Sequence, residues 1–167
     1  METNYTNINK GAASSLNERE IKAFVGKNSN YYINKWSLLA SSPKKVNWNF
    51  AAFFLSIFWV GYRKMYTLLL TILGIFIVLD IFQALLNIDM DSALGYALSG
   101  AVGAAGNSLY LKHMNKKIAK IKAKYLFGDD YYNELTKAGG PSWVGVAVSV
   151  AALIVYILIS YLIYSFI

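Results

Sequence analysis

The sequence predicts an all-α membrane protein, and three observations predict it. Apolar residues come in runs long enough to cross a bilayer, not in short alternating patterns. Basic residues flank those runs. A polar stretch suited to water precedes them all. The chain has 167 residues, 56% of them hydrophobic, and reads as one membrane unit behind a short soluble lead.

Charge placement sharpens this reading. Net charge is +7, with seven Lys/Arg in residues 1–45, two at Arg63-Lys64 and seven Lys in 112–141. A nucleic-acid binder would gather its basic residues with stacking aromatics on a soluble face. Here they border apolar blocks, so the expected partner is the anionic leaflet and no nucleic acid. There are no cysteines, which excludes disulfides, thiolate metal sites and thiol nucleophiles. The first twenty residues hold no apolar core of a signal peptide, so an internal span is expected to direct insertion.

Residues 1–15 read as a disordered tail and 16–45 as a cytoplasmic helical lead. Asn17 with Glu20 forms a capping box, and Leu16 with Ile21 a hydrophobic staple. Gly26 ends that helix. A second carries Tyr32, Ile33, Trp36, Leu39 and Ala40 on one side. Each is too short to be stable alone and must dock on something. Ser41-Ser42-Pro43-Lys44-Lys45 is the hinge into the membrane domain, 46–167.

Residues 46–62 are aromatic and apolar, yet reach only about 25 Å as a helix against a hydrocarbon core of about 30 Å. Basic pairs lie at both ends, and a crossing would strand one pair outside. The stretch is therefore expected to be re-entrant or interfacial, with a full span as the alternative. Spans follow at 65–86, 93–111 and 143–167. An acidic turn at 87–92 suits the outer face, and 112–140 forms a cytoplasmic basic loop. In that loop Met114, Ile118, Ile121 and Tyr125 line one side of an amphipathic helix able to lie on the leaflet. The N-terminus is then cytoplasmic and the C-terminus outside. No basic residue falls on the outer side.

The stretch 47–66 also carries a resemblance. It contains Asn47-Trp48-Asn49-Phe50-Ala51-Ala52-Phe53-Phe54 and Trp59-Val60-Gly61-Tyr62-Arg63-Lys64-Met65-Tyr66. These resemble the signature of a bacterial membrane-protein family classed only as a domain of unknown function. Phe24-Val25-Gly26-Lys27-Asn28-Ser29-Asn30-Tyr31-Tyr32 and the late Gly139–Trp143 stretch are similar to it as well, so the likeness covers roughly 20–145. It implies a bacterial cytoplasmic membrane and supplies no activity. Where the family often has Gly-Pro, this chain has Ser56-Ile57. The likeness therefore carries no sharp kink over to it, although the residues themselves allow a bend near Ser56.

Few residues suggest chemistry. The single histidine, His113, has no Cys or paired carboxylate to build a metal site with, and no GxSxG elbow exists. No cofactor is expected. Asp80 lies inside a span, where an ionisable residue marks function by default. Its plain alternative is a hydrogen bond to Tyr96 or Ser99. Asn107 and Ser108 suit inter-helix hydrogen bonds. Gly100, Gly103 and Gly106 suit close helix packing. Trp48, Trp59, Tyr62, Arg63, Lys64 and Tyr66 suit the lipid interface, with Arg63 on a headgroup phosphate. These features predict a non-enzymatic scaffold or accessory protein that binds a protein partner or the leaflet. The alternatives are a homo-oligomeric transporter or channel component using Asp80, and an immunity-type protein.

Overall fold

The computed structural model describes residues 18–41 and 47–166, apart from the side chain of Asp91. The tail, the Asn17 cap, the Leu16 staple and the Pro43 hinge lie outside the described residues. Among the described residues the regular structure is helical. It comprises α1 (Glu18–Val25), α2 (Ser29–Ser41), α3 (Phe50–Tyr62), α4 (Tyr66–Leu86), α5 (Asp91–Lys122), α6 (Asp129–Ala138) and α7 (Trp143–Phe166), with a 3₁₀ turn at Gly26–Asn28. The chain divides into two compact units, 1–49 with 104–141 and 50–103 with 142–167. The N-terminal lead is thus not a free appendage. It forms one body with the stretch 104–141.

In the first unit, α1 carries Glu18 and Glu20 in its first turn and Lys22 in its last, the charge order that a helix dipole favours. Gly26 follows at φ +75° and lets the chain turn into α2. The core is an aromatic cluster. Tyr32 meets Tyr110 edge-on at 4.9 Å between ring centroids, and Phe24 and Trp36 lie beside the same Tyr110. Met114 and Ile118 of α5 are fully buried. α6 is amphipathic, buries Tyr131 and Leu135, and packs on α1. Gly139 closes this unit against Phe24, because a Cβ there would fall 2.0 Å from the Phe24 carbonyl oxygen. Gly140 N–H donates to that oxygen at 2.6 Å.

In the second unit, α3 is broken at Ser56, whose φ of 42° and ψ of −115° are not helical. The kink falls at Ser56-Ile57, where a bend is compatible with the residues. Packing of both halves of the aromatic block holds it. Ala52 on one side and Ile57, Trp59 and Val60 on the other are all buried. Arg63-Lys64-Met65 is a tight helix stop. Lys64 takes φ +56°, Lys64 N–H reaches Gly61 O at 2.8 Å, and Met65 N–H reaches Val60 O at 3.0 Å. Asn87 ends α4 in the same way at φ +51°.

Ser142 caps α7 by accepting from Gly145 N–H at 3.0 Å. α3 and α7 meet at Gly61 and Gly145, where a Cβ on either would lie within 2.5 Å of the other's carbonyl oxygen. Ser149 shares its proton between Gly145 O at 3.1 Å and Ile57 O at 3.3 Å.

Two helical segments are long and apolar enough to cross a membrane. They are α4 and, beyond the break at 139–142, α7. α3 is apolar but has only 13 residues. α5 differs from the expected span followed by a separate basic helix. It is a single helix of 32 residues. Nothing between Leu111 and Lys122 breaks it, and lysine is a good helix former.

Candidate functional site

Each unit buries a polar cluster around one side chain, Asn107 in the first and Asp80 in the second, and the two are built differently. In the first, Asn107 is completely enclosed on α5. Its Nδ2 donates to Asn47 O at 3.0 Å and Asn47 Oδ1 at 3.2 Å. Its Oδ1 accepts from Asn49 Nδ2 at 2.9 Å, and its backbone carbonyl from Trp36 Nε1 at 2.9 Å. Lys35 holds the same segment, with Nζ donating to Trp48 O at 3.3 Å and its carbonyl accepting from Asn47 Nδ2. Asn107 was expected to bond another span. Its partners are instead the approach to the aromatic block. Asn47-Trp48-Asn49 latches that approach to α5, a structural use of every group involved.

In the second unit, Asp80 of α4 is 1% exposed. Tyr156 of α7 donates to its Oδ1 at 3.2 Å, and Oδ2 is buried with no hydrogen-bond partner among the described residues. Tyr96 is largely exposed, and the bond expected from Tyr96 or Ser99 is made instead by Tyr156. Gln83, one turn on, is also buried and its Oε1 accepts from Met90 N–H at 2.5 Å. A crevice of about 180 Å³ lies alongside, lined by Ile57, Leu73, Phe76, Leu153 and Tyr156 among others. Tyr156 therefore touches both the carboxylate and the crevice. The sequence marks Asp80, but not a partner 76 residues away.

A third polar contact ties the first unit together. Tyr131 Oη donates to the buried Glu20 Oε1 at 2.5 Å, and Lys122 Nζ lies 3.6 Å from the same oxygen. Burial first, then the Glu20 hydrogen bond, raises the Tyr131 hydroxyl above its usual range. His113, half-buried against Phe24, has its pKa lowered to about 4 by burial, with Lys117 and Lys116 adding to the effect. Its Nε2 has no partner among the described residues. Among those residues no three metal-binding side chains cluster.

The expected lipid-interface residues do not form one exposed face. Trp59 and Arg63 are 2% and 4% exposed, enclosed by protein, so Arg63 does not present its guanidinium to a headgroup. Trp48, Tyr62 and Lys64 are half-buried, and Tyr62 stacks edge-on against Trp143 at 5.6 Å. Tyr66 is at the surface. The packing glycines also differ from expectation. Gly103 and Gly106 are buried, but a Cβ on Gly100 would meet nothing within 4 Å. Gly61, Gly145 and Gly139 also make tight approaches, which the GxxGxxG spacing does not reveal.

A family model described as a protein of unknown function (DUF2628) matches residues 13–116, more than half of the chain. The match takes in the aromatic block and the Asn107 latch but ends before α6 and α7. No curated protein and no solved structure matches.

Proposed function

The chain belongs to the DUF2628 family of proteins of unknown function, and from that premise we propose a non-enzymatic, multi-pass scaffold of the bacterial cytoplasmic membrane. In this reading, 65–86, 93–111 and 143–167 span, 46–62 is re-entrant, and the first unit is a cytoplasmic platform for a partner or the leaflet. The observation that carries it is the difference in exposed surface. α4 and α7 turn Leu70, Leu85, Ile154 and Leu158 outward, whereas the basic end of α5 turns out lysines. The broken 13-residue α3 supports a segment that enters and returns, since such a helix reaches about 20 Å.

Single cysteines test this cleanly, because the chain has none of its own. In intact cells an impermeant maleimide should label Ile167→Cys and leave Lys124→Cys unlabelled until the membrane is opened. Labelling of Lys124→Cys from outside would overturn the orientation.

One observation favours a second reading, an oligomeric transporter component. The unused Oδ2 of Asp80 is a buried carboxylate acceptor on a helix apolar and long enough to cross a membrane. Ion or proton flux through reconstituted vesicles, lost in Asp80→Asn, is the expected sign. Flux unchanged by that substitution would remove the residue on which this reading stands.

A further inference from the structure

The basic end of α5 cannot serve the leaflet in the way its sequence suggests. An amphipathic helix lying on lipid inserts its apolar side, but Met114 and Ile118 are already buried inside the first unit. What remains outside is a ladder. Lys112, Lys116 and Lys120 recur every fourth residue of α5, so they share one side, Lys124 follows in the turn after the helix, and all four are exposed. They have no ion-pair partner among the described residues, whereas Lys122 lies by Glu20.

The ladder runs along the helix axis and ends in an apolar tip. In the loop after α5, Leu126 is 93% exposed and Phe127 64%, with Tyr125 beside them. Lys122 lies over the Phe127 ring at 4.9 Å, and that ring meets Tyr131 at 5.0 Å, so the tip is held in place.

We infer that this ladder and tip dock an acidic amphipathic helix of a partner protein. Carboxylates one turn apart on that helix match lysines one turn apart on α5. Apolar residues at one of its ends cover Leu126 and Phe127. The inference rests on the scaffold reading and names the chemistry of its partner.

The test uses the full chain in nanodiscs of zwitterionic lipid, which expose both faces whatever the orientation in cells. The probe is a synthetic helical peptide with Glu at every fourth position and two leucines at one end, followed by fluorescence anisotropy. The expected result is saturable, salt-sensitive binding, weakened about tenfold or more by Lys116→Glu with Lys120→Glu. Leu126→Ser with Phe127→Ser should weaken it about fivefold or more through lost apolar burial. All four residues are exposed, and circular dichroism checks that the variants keep their helices. A peptide of the same composition with its glutamates clustered at one end should bind at least about fivefold more weakly.

Equal binding of the two peptides, or indifference to the Leu126 and Phe127 changes, would overturn the inference. So would displacement of the peptide by vesicles containing phosphatidylglycerol, which would assign the surface to lipid. Failure of the orientation shows separately, in the Lys124→Cys labelling.

Discussion

The two units bury polar groups at similar depth and resolve them differently. Around Asn107 every amide group has a partner, and the cluster joins α2, the 47–49 segment and α5. Around Asp80 one oxygen is used by Tyr156 and the other is not. A saturated network fixes one arrangement, while a half-satisfied one is costly to keep. The difference teaches where architecture ends. The stretch 47–66 holds the Asn latch, the kink at Ser56 and the Lys64 turn, all of them architecture. Asp80, outside that stretch, is a buried carboxylate with one oxygen that packing leaves unused, as it leaves Ser56 Oγ and His113 Nε2.

The largest expected effect breaks the saturated side. Asn107→Ala should remove the acceptor of the Asn49 amide and the donor to the Asn47 carbonyl, and destabilise the first unit by about 3 kcal/mol. Denaturant unfolding followed by Trp36 fluorescence would measure it, since the Trp36 bond to the backbone carbonyl survives the change. A loss below about 1 kcal/mol would mean that the network is no latch.

Acid should strain the same unit through His113. Its folded pKa of about 4 lies below the usual 6.5, so the neutral ring is the form that the fold holds. Stability is then complete above pH 6.5 and falls as pH drops toward 4, by up to about 3 kcal/mol before any allowance for solvent. Replacing the ring with His113→Phe should flatten that slope between pH 7 and 4.5. An unchanged slope would place the acid sensitivity elsewhere.

On the other side of the comparison, Tyr156→Phe removes the hydrogen bond that Asp80 Oδ1 accepts, at about 1 kcal/mol. Asp80→Asn keeps an acceptor for Tyr156 and removes the ionisable carboxyl. Its thermal stability in detergent should stay within about 1 kcal/mol of the parent. Destabilisation well beyond that would make Asp80 structural and bring the two clusters into line.

Helix content and two long apolar runs, α4 and α7, were legible because both are written locally, in propensity and in apolar length. Glycine at 26, Asp129-Asp130 and Ser142 mark their boundaries by local rules of turn and cap. The division into two units was not legible. It depends on α1 meeting α6 and on Asn47 and Asn49 meeting Asn107, about 60 or more residues apart. Gly139 reads in sequence as a breaker, yet it also admits the Phe24 backbone, and only the fold shows that second role. Arg63 reads as an anchor because its charge borders a span, and burial reverses that reading.

The smallest effect concerns the kink. Ser56 holds φ +42° and ψ −115°, a sparsely populated conformation that costs an L-residue about 1–3 kcal/mol, and its buried Oγ has no hydrogen-bond partner among the described residues. Glycine adopts such angles freely but loses more entropy on folding, so the two terms oppose each other. The strain term is the larger, and Ser56→Gly should stabilise the second unit by about 0.5–1 kcal/mol. Removing the hydroxyl also relieves an unmade hydrogen bond, which acts in the same direction. Ser56→Ala separates the two, because it removes the hydroxyl and keeps the strain. If Ser56→Gly melted lower than Ser56→Ala, the kink would not be strained at serine. The break in α3 would then be a conformation that the surrounding packing favours without help from a glycine.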